Sequence, residues 1–321
     1  MVPRHLSQAR ERRPLAAARW IPASAPLAAA GAVHVEPGSA ASKMKIEDET
    51  VADELIRSVI DISRRAAEVV MAIYSKPFKV RHKPDQSPVT EADLASDAWI
   101  NQALAALTPD CPVLSEESEC PSFELRSKWR RYWLVDPLDG TQGFVSRRGD
   151  FTINVALVDQ HVPVLGVIYV PGNGSCYYAR AGGGAYRVDD EGGPRRLRVK
   201  EKAEHPIRVV TSYSKRNPLT GAFIESLGEV RIERMGSALK SCRVAEGAAD
   251  VYPGFSRTSE WDTAAAQRIV EEAGGKMIDC DGSPLRYNLR AGLQNPRFLA
   301  VGDTRRDWTR GLMGKAGGSE R

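Results

Sequence analysis

Acidic residues follow short apolar segments in this chain, most clearly at Asp-Pro-Leu-Asp-Gly-Thr (136–141). A predicted buried strand delivers Asp136, and Pro137 then turns the chain so that Asp139 can face the same point. Two carboxylates with the Leu138 carbonyl between them form an all-oxygen set suited to a hard cation such as Mg²⁺. A plain aspartate-rich turn, in which each carboxylate caps a backbone N–H, is the alternative.

Three further acidic segments could serve the same site. Glu116 and Glu117 follow the apolar run 112–114, Asp262 opens a predicted helix, and Asp93 ends the sequence Thr-Glu-Ala-Asp. Each also has a purely structural explanation. Loop glutamates are usually solvated, an aspartate in a first helical turn is favoured by the helix dipole, and Asp93 has capping-box spacing. The residues taken singly leave these alternatives open.

The composition sets the class of protein. The 321 residues are 42% hydrophobic and 27% charged, which is typical of globular chains. Lys and Arg number 45 against 41 Asp and Glu, a net charge of +4 that by itself indicates neither a nucleic-acid nor a membrane partner. No apolar run reaches the roughly 18–20 residues that span a bilayer, so we expect no integral membrane segment. Five scattered cysteines without metal-site spacing favour a reducing compartment.

Residues 1–43 differ from the rest of the chain because they are rich in Ala, Pro and Arg. Their prolines prevent a long helix, and their signal-peptide and transit-peptide features are weak. We interpret this leader as disordered or as the product of a start codon assigned too early, with a targeting role as the alternative.

The body of the chain reads as alternating helices and strands. Apolar residues recur every three or four positions across 46–74, and Thr90 with Asp93 predicts a capped helix through Leu107. Strands are predicted at 112–114, 132–135, 151–158, 162–170 and 175–178, the last three antiparallel. After a Gly- and Arg-rich stretch, further strands are predicted at 207–210, 251–255 and 298–301, and helices at 218–227, 237–248 (capped by Ser237) and 263–273.

A change of pattern near residue 200 predicts two coupled domains. We expect an N-terminal α+β metal-binding domain over 44–200, a smaller C-terminal α/β substrate-binding domain over 201–310, and a flexible tail at 311–321.

The acidic segments, in this order and spacing, resemble those of the lithium-sensitive, magnesium-dependent superfamily of inositol monophosphatases and 3′(2′),5′-bisphosphate nucleotidases, and within it the bacterial CysQ type. The matching stretches are 85–93, Pro-Val-Leu-Ser-Glu-Glu (112–117), 131–141, Gly-Ser-Ala-Leu-Lys (236–240), 244–247, Trp-Asp-Thr-Ala-Ala (261–265) and Asn-Pro-Arg-Phe (295–298). The resemblance implies an α+β fold, the layered αβαβα sandwich of the sugar phosphatases.

The resemblance also implies roles for individual residues, with Mg²⁺ as cofactor (two ions, or three as the alternative). Thr141, supported by Asp93, would orient or deprotonate the attacking water, and Glu117 would assist from outside the ligand set. The implied metal ligands are Glu116, Asp136, the Leu138 carbonyl, Asp139 and Asp262. The implied substrate-binding residues are Glu116, Leu138, Asp139, Gly140, Thr141, Gly236, Ser237, Lys240 and Asp262.

The implied substrate is adenosine 3′,5′-bisphosphate, cleaved to AMP and phosphate, with Lys240 or Arg257 near the 5′-phosphate. Two departures bear on this expectation. Gln142 stands where CysQ-type sequences usually carry Lys, and the sequence Thr-Ser-Tyr-Ser-Lys (211–215) replaces a Ser-Arg-Ser-His-type segment. A charge beside the phosphate is therefore missing or moved, which affects the substrate more than the metal site.

Two other functions remain open at this point. The first is an inositol- or sugar-phosphate phosphatase of the same superfamily. The second is a non-enzymatic protein whose basic leader binds an anionic partner. For the favoured enzyme we expect a small-molecule phosphate ester as partner, no nucleic acid, and a cytoplasmic location, with peripheral association at the inner membrane as the alternative.

Overall fold

The structure is a computed structural model that describes residues 49–189, 193–213, 217–310 and 312. The predicted leader at 1–43, most of the predicted tail, and Ser214 and Lys215 of the departing segment lie outside the described residues. The division into domains at residue 200 stays a prediction.

Helices form in both of the segments before residue 110 for which the sequence predicts them. The helices are α1 (Glu49–Tyr74), α2 (Glu91–Leu107), α3 (Phe123–Arg126), α4 (Thr141–Val145), α5 (Pro218–Ser226), α6 (Leu239–Ala245) and α7 (Glu260–Glu272). The capping box predicted from Thr90 and Asp93 is confirmed: the Thr90 N–H donates to Asp93 Oδ2 at 2.8 Å, and the Thr90 hydroxyl accepts from the first turn of α2. None of the helices in these described ranges is long and apolar enough to cross a membrane.

Among the described residues, the first sheet contains seven strands in the order β3-β4-β5-β6-β7-β8-β9. Its strands are β3 (Val113–Ser115), β4 (Arg131–Asp139), β5 (Thr152–Asp159), β6 (Val162–Tyr169), β7 (Cys176–Arg180), β8 (Gly184–Val188) and β9 (Arg195–Arg196). The sheet is antiparallel except that β3 runs parallel to β4. The antiparallel set predicted at 151–178 is confirmed within two residues at each end. Glycine and arginine at 182–198 concealed β8 and β9, because neither residue produces a strand pattern.

In the part of the chain that the structure describes, the second sheet contains five strands in the order β11-β10-β12-β14-β13. Its strands are β10 (Ile207–Thr211), β11 (Val230–Arg234), β12 (Val251–Gly254), β13 (Lys276–Asp279) and β14 (Phe298–Val301). The edge strand β11 was not predicted, because its middle residues are exposed and mostly charged. A separate hairpin joins β1 (Val80–His82) to β2 (Pro88–Thr90).

The helices separate the two sheets and cover their outer faces. Helices α1 and α2 pack on one face of the first sheet, and α6 and α7 lie between the sheets. Phe223 of α5 packs with Val209 and Val251 on the far face of the second sheet. The result is the αβαβα sandwich predicted from the sequence. Helix α7 approaches β6 so closely that a Cβ on Gly166 would lie 2.5 Å from the Ala265 carbonyl oxygen.

Two local predictions were wrong. Strand β4 does not end at Asp136 but continues to Asp139, with an irregularity between these residues opposite β5. Helix α6 is not capped by Ser237 and does not reach residue 248. Ser237 has a left-handed backbone (φ 51°), so the helix begins one residue later, with Ala238 at its cap, and ends at Ala245.

Candidate active site

The site is built on the last residues of β4. Asp136 is buried (1% exposed), and its Oδ1 accepts a 3.0 Å hydrogen bond from the Leu138 N–H. Gly140 follows with a φ of 90°, and a Cβ there would lie 3.1 Å from the Asp150 carbonyl oxygen. Only glycine combines this backbone conformation with so close a contact. The turn allows α4 to begin immediately after the two aspartates.

Three of the predicted ligands converge. Carboxylate oxygens of Glu116, Asp136 and Asp262 lie within 4.8 Å of one another. Parallel pairing places Glu116 beside β4, where its N–H donates to the Val135 carbonyl at 3.1 Å. Asp262 lies in the first turn of α7, where its Oδ2 accepts from the Ser259 N–H at 2.8 Å. Segments far apart in the sequence therefore supply one acidic group.

The fourth acid, Asp139, lies beside this group rather than within it. Its Oδ2 accepts from the Ala238 N–H at 2.6 Å and faces the Asn154 side-chain amide at 3.3 Å. Its negative charge still acts on the cluster, because it raises the pKa of both Asp136 and Asp262. Asn154 was not singled out from the sequence, although a polar residue inside the apolar strand β5 was the available signal.

The electrostatics favour a bound cation. Burial raises the pKa of Asp136 well above its ordinary value, and the charges of Glu116 and Asp139 raise it further. Burial, together with Asp139, raises the pKa of Asp262 to about 8. Such carboxylates must either hold protons or be neutralised by positive charge. A set of closely spaced, partly buried carboxylate oxygens fits a hard divalent cation such as Mg²⁺.

Thr141 and Asp93 form a hydrogen-bonded pair beside the cluster. The Thr141 hydroxyl lies 2.9 Å from Asp93 Oδ1 and 3.2 Å from the Leu138 carbonyl oxygen, so its single proton can go to either acceptor. In both cases the hydroxyl oxygen can still accept a hydrogen bond. Burial raises the pKa of Asp93, although its hydrogen bonds with Thr90 and Thr141 work in the opposite direction.

Lys83, in the loop between β1 and β2, is a site residue that the sequence did not reveal. Its ammonium lies 2.7 Å from Glu116 Oε1 and 2.6 Å from Glu117 Oε1. Burial lowers the pKa of Lys83, but its hydrogen bonds to the two glutamates outweigh that effect and raise it overall. Burial raises the pKa of Glu117 to about 7, with Lys83 opposing the shift. A lysine in a polar, proline-containing loop carries no pattern that predicts such a partner.

The segment Gly-Ser-Ala-Leu-Lys (236–240) lies directly against the acidic site. The Gly236 N–H donates to Asp150 Oδ2 at 2.6 Å. Lys240 is buried (6% exposed), donates to the Ser237 carbonyl at 2.6 Å, and lies 5.2 Å from the centre of the Tyr252 ring. Burial lowers its pKa, although the charge of Asp139 raises it. Arg257, by contrast, is exposed.

The sequence of this chain is similar to those of known proteins. A model of the group described as "Inositol monophosphatase family" matches residues 51–308. The chain is 44% identical over 246 residues to "3′(2′),5′-bisphosphate nucleotidase CysQ" of Salmonella typhimurium and 43% identical to that of Escherichia coli. Each match covers 76% of this chain and 98% of the relative.

Solved structures share the same fold. A CysQ from Bacteroides thetaiotaomicron, described as a bacterial member of the inositol monophosphatase family, superimposes with a TM-score of 0.69 at 38% identity, covering 79% of this chain and 98% of that one. A Thermotoga maritima IMPase gives a TM-score of 0.68 at 27% identity, covering 83% and 100% of the two chains. Both the sequence and the fold are therefore matched over most of the body of the chain.

Proposed function

The chain belongs to the inositol monophosphatase family, and from this premise we propose that it is a 3′(2′),5′-bisphosphate nucleotidase. It removes the 3′-phosphate of adenosine 3′,5′-bisphosphate by direct attack of water, releasing AMP and phosphate. Identity of 43–44% to the two nucleotidases, across 98% of their length, supports this substrate. The convergence of Glu116, Asp136 and Asp262 within 4.8 Å is the observation that carries the chemistry.

We propose Mg²⁺ as the cofactor, with two ions held by Glu116, Asp136, Asp139, Asp262 and the Leu138 carbonyl. When bound, the metal would withdraw charge from the phosphate and stabilise the attacking and leaving oxygens. The surrounding protein favours this arrangement, because buried carboxylates with raised pKa values gain stability when positive charge neutralises them.

The protein residues around the phosphate would orient the nucleophile. The Thr141 hydroxyl, donating to Asp93 at 2.9 Å, is left with an oxygen that can accept a hydrogen bond from the attacking water, and a proton taken from that water would require the hydroxyl proton to pass to Asp93. Asp93 is itself fixed by the Thr90 N–H and hydroxyl, so the carboxylate that accepts from Thr141 is in place before substrate binds. Glu117, with a pKa raised to about 7, is suited to exchange a proton near neutral pH.

A panel of phosphate esters tests the proposal. Purified protein is assayed for phosphate release from adenosine 3′,5′-bisphosphate, 3′-AMP, 5′-AMP and inositol 1-phosphate across a Mg²⁺ titration. We expect kcat/KM to be highest for the bisphosphate and turnover to stop when EDTA is added. Equal or higher kcat/KM for inositol 1-phosphate would reject the nucleotidase assignment and leave the metal chemistry intact.

An inositol- or sugar-phosphate phosphatase is the second candidate. It draws support from the Thermotoga maritima IMPase, whose fold matches at a TM-score of 0.68. Gln142, in place of the usual lysine, also weakens the nucleotide-specific expectation. The same panel of phosphate esters decides between the two candidate functions.

The geometry of the site does not bear on the cellular compartment or on the non-enzymatic alternative. All five cysteines are free, which fits a reducing environment, so a cytoplasmic location remains our prediction. The basic leader on which the non-enzymatic function depends lies outside the described residues.

A further inference from the structure

The first turn of α7 carries Asp262, and a loop from the C-terminal part of the chain holds that turn. The Glu260 N–H donates to the Leu293 carbonyl at 2.8 Å, and the Asn295 side chain donates to the Ser259 carbonyl at 2.5 Å. The Ser259 N–H in turn donates to Asp262 Oδ2 at 2.8 Å. The direction of the Asp262 carboxylate therefore depends on groups outside α7.

Asn288 is the central residue of this loop. It is buried (1% exposed) and has a left-handed backbone with a φ of 57°. Its N–H donates to Glu260 Oε2 at 2.8 Å, and its side-chain amide donates to the Arg126 carbonyl at 2.6 Å. Asn288 thus joins the first residue of α7 to the short helix α3.

Arg126 completes the chain of contacts. Its side chain is fully buried, and its guanidinium donates to Asn288 Oδ1 and to the carbonyls of Arg290, at 3.1 Å, and Ala291. A guanidinium buried against neutral amide and carbonyl oxygens loses its hydration without gaining a counter-charge in hydrogen-bond contact, so these contacts cost stability rather than add to it. The planar, forked guanidinium of Arg126 instead fixes the positions of the groups that accept its hydrogen bonds.

We propose that Arg126, Asn288 and Glu260 are positioning residues for the metal site. They hold the first turn of α7 so that Asp262 meets Glu116 and Asp136 within 4.8 Å. This inference rests on the proposed metal-dependent function. Loss of groups that orient metal ligands typically weakens metal affinity by about 10–100-fold, and we expect an effect in that range.

Isothermal titration of the chelator-stripped protein with Mg²⁺ alone tests the proposal, at a temperature where every variant is folded by circular dichroism. Arg126→Lys removes the forked guanidinium. Asn288→Gly keeps the left-handed backbone but removes the side-chain amide. Glu260→Leu removes the carboxylate that accepts from the Asn288 N–H. Glu260→Gln retains an acceptor for the Asn288 N–H. Arg208→Lys is the matched control, because Arg208 pairs with the fully buried Asp250 at 2.6 Å and its side-chain hydrogen bonds among the described residues go to Asp250 and Gly247 rather than to α7.

The expected result is a Kd for Mg²⁺ at least about 10-fold weaker in Arg126→Lys, Asn288→Gly and Glu260→Leu, with recovery in Glu260→Gln and no change in Arg208→Lys. A purely structural role would lower the Tm of Arg126→Lys, Asn288→Gly and Glu260→Leu and leave every Kd unchanged, and that result overturns the proposal. So does equal weakening in Arg208→Lys. If Arg126→Lys does not fold, the contrast between the two Glu260 variants decides. Absence of Mg²⁺ binding in the unaltered protein would instead count against the proposed function.

Discussion

At the scale of single residues, the charge on Asp136 is the feature on which the site most depends. Asp136→Asn keeps the size of the side chain but removes charge from the middle of the cluster. We expect kcat to fall by about 100-fold or more, because even indirect disturbance of a metal site costs up to about 100-fold. In metal-free protein the Tm should stay level or rise, since an unfavourable buried charge is gone.

Steady-state kinetics and thermal unfolding in EDTA check both parts of this prediction. Asn154→Asp is a useful companion, because it adds a carboxylate next to Asp139 and should lower the metal-free Tm. Substantial activity of Asp136→Asn at moderate Mg²⁺ would contradict the shared-ligand role.

The Thr141 hydroxyl should matter for the chemical step rather than for metal binding. Thr141→Ala removes the group that donates to Asp93 at 2.9 Å, and we expect kcat to fall by about 100-fold or more, the range of a lost general base. The Kd for Mg²⁺ should stay close to that of the unaltered protein. Thr141→Ser keeps the hydroxyl and should recover most of the rate, whereas an unchanged kcat in Thr141→Ala would exclude the role.

The residues that the sequence predicted and those that it missed differ in a physical way. Glu116 follows β3, Asp136 lies near the end of β4 and Asp262 lies in the first turn of α7. Local patterns therefore place all three where the structure brings them together. Lys83 meets Glu116 across 33 positions through a loop, and no local pattern encodes that contact. Lys240 was predicted beside the substrate, but the burial that turns its ammonium to the Ser237 carbonyl is a tertiary effect.

At the scale of elements, the close packing of α7 on β6 sets the distance between helix and sheet. Gly166→Ala places a Cβ 2.5 Å from the Ala265 carbonyl oxygen, a backbone atom that cannot move alone. We expect a loss of about 1–3 kcal/mol in the free energy of unfolding, typical of overpacking. Urea denaturation measures it.

Gly221 provides the matched control for that substitution. It lies in α5 with nothing within 4 Å of its Cβ direction, so Gly221→Ala should raise stability by up to about 1 kcal/mol through helix propensity. Equal stability of the two variants would show that α7 can shift away from β6.

Helix and strand positions were largely predictable, and the failures have identifiable causes. The capping box of α2 and the antiparallel strands β5–β7 have strong local signals, and the structure confirms them. The start of α6 was wrong because the left-handed backbone of Ser237 is imposed by its surroundings, where Gly236 bonds Asp150 and Ala238 bonds Asp139. Strand β11 was missed because an exposed edge strand tolerates charge.

At the scale of the whole molecule, the buried acids make stability depend on pH and on metal. Burial raises the pKa of Asp262 to about 8 and that of Glu117 to about 7, above the ordinary values of about 3.9 and 4.3 expected in the unfolded chain. The folded protein therefore binds more protons between these limits. Its free energy of unfolding should fall as pH rises from about 4 to about 8 in the absence of metal.

Mg²⁺ should remove the part of this dependence that comes from Asp262, because a bound cation takes the place of its proton. Urea denaturation at pH 5.5, 7.0 and 8.5, with EDTA or with saturating Mg²⁺, measures both effects. Metal should stabilise the protein most at pH 8.5. A stabilisation by Mg²⁺ that is equal at all three pH values would indicate that the acids are not its ligands.

The order of the proposed ligands along the polypeptide has a consequence for biosynthesis. Glu116 and Asp136 leave the ribosome early, but Asp262 and the Asn288 loop that holds it emerge only near the end of the 321-residue chain. A nascent chain therefore carries an incomplete acidic pocket through most of translation. We therefore expect cation capture to be a late event in maturation, and a product truncated before Asp262 lacks one of the three carboxylates that converge within 4.8 Å.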